Sequence, residues 1–351
     1  MQVSALNDNG HPVDWWFLYK VPKLTQNAES QSTVGCEYVY FDPTLSAVAK
    51  SPHLLTDGTG ALDLTLQSVF KHAAASTGWI LYNDQMPAGA KRPDNSAFGH
   101  TKGVIAYDTS SGSAFWLLHS WPQYATATPS ALPTPMFGQT FVCMTLDIGT
   151  ASKIATQMLS FQEPQSYLPR IPASLKKTDP LYLLTRPFNP RATPGGSNVL
   201  SCETHGGQAF KVIAKNRNWG EDFWNDLVGP TLKANMDDET WIRGPIPPII
   251  DSDGIHKTFD IKFINLAPLG APWAWPETHD HAKWGITTTS DWICVGDINR
   301  MISQENRGGG TIALQNKTLW SALSKTDLLV APPGFTVAQA RRVIRSTHQE
   351  N

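Results

Sequence analysis

The chain has few cysteines, little net charge and no long apolar run, and each scarcity removes a class of protein. Its four cysteines, at positions 36, 143, 202 and 294 of 351 residues, show no C-x-x-C spacing, which argues against structural zinc and leaves disulfides open. No stretch of about 18 apolar residues occurs, so no membrane-spanning helix is expected. Met1-Gln-Val-Ser-Ala-Leu-Asn lacks a basic stretch followed by an apolar core; no secretory signal is read there, and a cytoplasmic location is the default. A formal charge of −2 excludes a blanket electrostatic grip on nucleic acid, so any affinity for DNA must come from a local positive groove.

What is present suits a large enzyme. With 41% hydrophobic residues the chain can bury a sizeable core, as one large domain or two intimate halves. Apolar runs at 14–19, 36–41, 79–82, 100–107, 115–119, 140–146, 181–184, 259–264 and 292–295 read as strands. Helical spacing is expected over Leu62 to Ser76, with Gly78 just past its end, over Ser152 to Phe161 and over Glu221 to Val228. A terminal helix capped by Thr336 would run through Arg345. The alternation favours an α/β (mixed α+β) fold with sheets flanked by helices. The Pro/Gly/Ser-rich stretch Pro187 to Ser201 is the best linker, dividing the chain into halves 1–190 and 191–351.

One short pattern occurs in each half: His100-Thr101-Lys102 and His281-Ala282-Lys283. Three letters alone are weak evidence, but both copies read as the first strand of a hairpin, and residues two apart in a strand project from one face. Two imidazoles and two ammonium groups meeting at one pocket would suit a phosphodiester.

This arrangement resembles the phospholipase D superfamily, which places a His-x-Lys from each of two related halves around one phosphate. Longer blocks resemble its deoxyribonuclease II branch: Pro12-Val-Asp-Trp-Trp-Phe-Leu-Tyr-Lys20, Tyr82-Asn-Asp-Gln85, Gly99-His-Thr-Lys-Gly103, Trp116-Leu-Leu-His-Ser120, Asp280-His-Ala-Lys-Trp284, Trp292-Ile-Cys-Val-Gly-Asp-Ile-Asn-Arg300 and Arg307-Gly-Gly-Gly-Thr311. They run in family order over nearly the whole chain. Two departures stand out. Asp108 is out of step with the superfamily's Asp after the Lys, and the cysteines that animal members carry near the N-terminus and after the triple glycine are missing. The resemblance implies a phospholipase D-like pseudo-dimer, each half with a mixed sheet flanked by helices and one active site between them. It implies an acid endonuclease that leaves 3′-phosphate and 5′-hydroxyl ends, lysosomal in animals.

Cleavage of a phosphodiester needs one neutral imidazole to attack phosphorus and a protonated one opposite to serve the departing oxygen. His100 and His281 are the candidates, in an order the sequence leaves open, with Lys102 and Lys283 on the non-bridging oxygens. Asn299 and Ser120 are read as supporting residues. No cofactor or metal is required; a competing reading makes His279-Asp280-His281 a metal cluster. DNA is the expected substrate and no membrane partner is read, while a homodimer would widen the DNA-binding cleft. The rival functions are a phospholipase D-like enzyme acting on lipid and a non-catalytic DNA-binding module.

Overall fold

The computed structural model describes residues 2–87, 90, 97–124, 136–186, 194–247, 255–326 and 330–331. Among these, the chain builds two eight-stranded sheets. The first is ordered Ser166–Arg170, Thr77–Asn83, Lys102–Asp108, Ser113–His119, Gln139–Asp147, Trp15–Lys20, Tyr38–Phe41 and Ala49–Lys50. The second is ordered Ser197–Glu203, Ala209–Lys215, Gly309–Gln315, Trp292–Gly296, Lys283–Thr287, Met236–Thr240, Thr258–Ile261 and Val330–Ala331. In the first sheet every neighbouring pair is antiparallel. The second is mixed, because Met236–Thr240 and Thr258–Ile261 run parallel.

The central strands of the first sheet, Trp15–Lys20, Ser113–His119 and Gln139–Asp147, are buried almost along their whole length because both faces are covered. In Trp15–Lys20 the odd residues Trp15, Phe17 and Tyr19 face a core shared by the two sheets, where Val212, Trp284, Val295 and Ile312 also lie. The even residues Trp16 and Leu18 face the opposite way, against Leu62, Leu66 and Val69 of the helix Ala61–Phe70. The outer face of the second sheet buries Ile213, Met236 and Cys294 under Phe223, Trp224 and Val228. Into the shared core goes the helix Ile148–Gln157, started by Asp147, whose carboxylate accepts from the Thr150 N–H.

Several expectations are corrected. The run 181–184 is not a strand: Asp179 caps and Pro180 opens a short helix, Pro180–Leu183, and a cap followed by proline at the first helical position outweighs four apolar residues. The helix from Leu62 ends at Phe70, and Gly78 lies inside the strand Thr77–Asn83 rather than closing a helix. The segment expected as a helix over Glu221 to Val228 is a π-helix, Phe223–Val228, capped by Asp222 and continued by Gly229–Leu232. The run 259–264 is split between Thr258–Ile261 and Phe263–Asn265, which belong to different sheets. The four cysteines are buried and no disulfide joins them. The terminal helix and residues 187–193 of the linker lie outside the described residues, and the linker's last five residues belong to the strand Ser197–Glu203.

Candidate active site

Lys102 and Lys283 each open a strand, and each histidine stands two residues ahead of it, in the preceding loop. The histidines therefore do not share a strand with their lysines as expected; the ladder to Thr77–Asn83 starts at Lys102. Backbone hydrogen bonds hold the loops instead. His100 N–H donates to the Gly308 carbonyl at 2.8 Å, and His281 N–H donates to the Gly138 carbonyl at 2.9 Å. Gly308 adjoins a strand of the second sheet and Gly138 one of the first, so each motif is pinned by the opposite sheet's backbone. Both contacts need glycine: a Cβ on Gly138 would meet the Asp280 carboxylate at 2.6 Å, and one on Gly308 would meet the Gln162 carbonyl at 2.9 Å.

Around the first motif, Asp84 follows the strand Thr77–Asn83 and accepts from Lys102 Nζ at 2.5 Å and from Arg307 Nη2 at 3.0 Å. Burial opposes its charge, yet Lys102, His100 and Arg307 prevail and hold its carboxyl below the usual carboxylate range. His100 is 8% exposed. Its Nδ1 lies 2.5 Å from the Asp297 carbonyl oxygen, which can only accept, so the proton sits on Nδ1 and the lone pair on Nε2. That Nε2 is 3.5 Å from Lys102 Nζ. Burial, Lys102, Arg307 and Lys283 together push the imidazole well below its ordinary pKa, against Asp84.

The second motif is built differently. The His281 ring stacks on Phe137 with centroids 4.0 Å apart and planes 5° from parallel, and touches Trp241 at 3.7 Å. Lys20 fixes Phe137 by donating to its carbonyl at 2.6 Å. No described group reaches His281 Nε2. Burial, then Lys283, Lys102, Arg243 and Lys20, push this imidazole down to about 2. Lys283, which donates to the His281 carbonyl, is brought down to about 7 by burial and by Lys102. Lys283 thus acts on His100 and Lys102 on His281, so the two motifs share one electrostatic site.

Asp280 points away from that site. Its carboxylate accepts from the Tyr19 hydroxyl, from Trp275 Nε1 at 2.7 Å and from the Ala282 N–H at 2.7 Å, making it a strut behind His281. His279 is exposed at the end of a 3-10 turn. The three residues of the metal reading do not converge, and among the described residues no group of three or more His, Cys, Asp or Glu side chains could hold a metal ion.

Asn299 is 3% exposed, and its Oδ1 has no described partner. Its neighbours are locked: the Ile298 carbonyl accepts from Trp224 Nε1, and Arg300 pairs with Asp222 and Asp260. Ser120 donates to Gln139 Oε1 at 2.5 Å and accepts from the Thr140 N–H, beside the Gly138 that pins His281. Asp108, out of step in sequence, binds the N–H groups of Ser110 and Ser111 in the hairpin turn.

Sequence reasoning gave no role to Asp84, Asp297, Phe137 or Trp241, nor to the Arg307 side chain. The first two and Arg307 lie inside the family-like blocks, which was the available signal. The glycine run supplies the Gly308 carbonyl that holds the His100 loop. Lys215 is buried and donates to the carbonyls of Gln304, Glu305 and Arg307, bracing the loop that carries the arginine.

The chain resembles known proteins over nearly its whole length. The family model described as Deoxyribonuclease II matches residues 4–331. A Burkholderia pseudomallei (strain 1710b) protein named "Putative deoxyribonuclease-2" is 62% identical over 349 residues, covering 99% of each chain. Deoxyribonuclease-2-alpha of Rattus norvegicus is 30% identical over 326 residues, 91% of each chain. Plancitoxin-1 of Acanthaster planci is 31% identical over 328 residues, 91% of this chain and 89% of its own.

Proposed function

The chain belongs to the deoxyribonuclease II family, and from that premise we propose that it is an acid endodeoxyribonuclease working without a metal ion through a phosphohistidine. The observation that carries the reading is the reciprocal pinning of the two His-x-Lys loops, His100 on Gly308 and His281 on Gly138, with four cationic side chains, Lys102, Lys283, Arg307 and Lys20, around them. The halves 1–190 and 191–351 then act as two related units around one phosphate, as in the phospholipase D superfamily, and a homodimer would extend the DNA-binding cleft.

In this reading His100 is the nucleophile. Its Nδ1–H is held by the Asp297 carbonyl, its Nε2, 3.5 Å from Lys102 Nζ, carries the lone pair that attacks, and burial keeps it neutral. As the Nε2–P bond forms, the P–O5′ bond breaks and His281 gives its proton to the departing 5′ oxygen. Water then attacks phosphorus with His281 as base, and the P–N bond breaks to leave a 3′-phosphate. Lys102 and Lys283 offset charge on the non-bridging oxygens, and Asn299 adds a neutral donor. Ser120 acts at one remove, by fixing Gln139, which follows Gly138 and opens the strand Gln139–Asp147. His281 must be protonated to act as acid, and in the free protein burial and the cations around it hold it down to about 2; the negative charge of the bound diester opposes those cations. Lys283, fully charged only below about pH 7, favours acid conditions as well.

Plasmid digestion at pH 5 in excess EDTA tests the proposal. Undiminished cleavage into 3′-phosphate ends is the expected result; cleavage abolished by the chelator and restored by added divalent ions would overturn it.

A further inference from the structure

We infer that Arg243, carried on the indole of Trp241, is a second phosphate-binding residue that takes the DNA phosphate next to the scissile one; this rests on the reading that His281 serves the scissile phosphate. Trp241 follows the strand Met236–Thr240, and its ring touches His281 at 3.7 Å. The Arg243 guanidinium lies over that indole, 5.0 Å from the ring centroid. The Arg243 residue is exposed, and its charge is near enough to act on His281.

The other cations of the site are already committed. Lys102 and Arg307 are tied to Asp84, Lys283 to the His281 carbonyl and Lys20 to the carbonyls of Val21 and Phe137. Among the described residues no carboxylate pairs with Arg243, and its backbone N–H rests on the Met301 sulfur. Beside it Trp241 Nε1, an N–H donor, is buried with no described partner, and a bound phosphate oxygen would accept from it. A diester within DNA is flanked by further phosphates at about 3.4 Å of rise per strand, so a grip on one scissile phosphate brings another anion to the rim. An exposed guanidinium held in place by an indole face is suited to receive it.

The test is the salt dependence of oligonucleotide binding, read by fluorescence anisotropy, for the wild type, Arg243→Ala and Arg243→Lys. Neutralising one phosphate contributes about 0.9 to the slope of log K against log salt, so Arg243→Ala should lower the slope by about that amount and Arg243→Lys should restore it. In turnover, Arg243→Ala should raise KM for DNA about five-fold or more with a much smaller change in kcat, and should lose at least five-fold less on bis(4-nitrophenyl) phosphate, which has no neighbouring phosphate. An unchanged slope, or equal losses on DNA and on the small diester, would overturn the inference. If His281→Ala instead keeps full nuclease activity, the catalytic reading fails, and the anisotropy series still decides whether Arg243 grips DNA.

Discussion

The Nδ1 atom of His100 lies 2.5 Å from the carbonyl oxygen of Asp297, a contact that joins the two His-x-Lys halves through one side chain and one backbone group. A carbonyl cannot donate, so the contact fixes the tautomer and leaves Nε2 as the nucleophilic nitrogen. We expect nitrogen NMR of the histidine-labelled protein at pH 6 to show His100 neutral, with Nδ1 protonated and Nε2 bare. A His100 signal with Nε2 protonated would remove it as attacking group in the free enzyme.

Asp84 counterbalances two cations, Lys102 and Arg307, and is itself almost wholly buried. In Asp84→Asn the buried Lys102 charge and the partly buried Arg307 charge lose their carboxylate, a change that costs about 3–5 kcal/mol when a buried pair is broken. Urea unfolding at pH 6 should show a loss of that order, together with a fall in kcat/KM of at least ten-fold. Full stability and activity in Asp84→Asn would show that the cluster does not order the site.

Lys283 has its ammonium brought down to about 7 by burial and by Lys102, so it is charged below that pH and neutral above it. The rate should therefore fall as pH rises through about 7. Arginine stays protonated throughout this range, so Lys283→Arg should move the alkaline limb of the kcat/KM profile upward by one pH unit or more, at a reduced maximum rate. A limb that stays in place would assign it to another group.

The acid character extends to stability. Asp63 is buried and pushed up to about 7 by burial and by Asp57, whereas an unfolded aspartate titrates near ~3.9. Below about pH 4 the group is neutral in both states and costs nothing. Between about 4 and 7 the unfolded chain is ionised and the folded one is not, so stability declines as pH rises. Asp63→Asn should stabilise the protein at pH 7 by at most about 4 kcal/mol and change it little at pH 4, as measured by denaturant midpoints at the two values. An equal effect at both pH values would contradict this account.

Much of this architecture was legible in the sequence because strands buried on both faces write themselves as apolar runs: Trp15–Lys20, Ser113–His119 and Gln139–Asp147 all do. Strands with mixed composition did not stand out. Ser197–Glu203 alternates exposed and covered positions at a sheet edge, and Met236–Thr240 is Met-Asp-Asp-Glu-Thr, whose buried Asp238 and Glu239 have no local signature. The two His-x-Lys motifs were visible as repeats, and their partners were not. Asp84 meets Arg307, and Phe137 meets His281, only through tertiary pairing of segments far apart in sequence, for which no periodicity exists.

The central claim is that His100 Nε2 becomes bonded to phosphorus. Rapid mixing of the protein with a labelled oligonucleotide, quenching in alkali and peptide mapping by mass spectrometry reads that bond directly. The account predicts a 3′-phosphoryl-oligonucleotide adduct on the peptide bearing His100, enriched in His281→Ala and lost in His100→Ala. An adduct on another residue, or cleavage by His100→Ala at the wild-type rate, would contradict it.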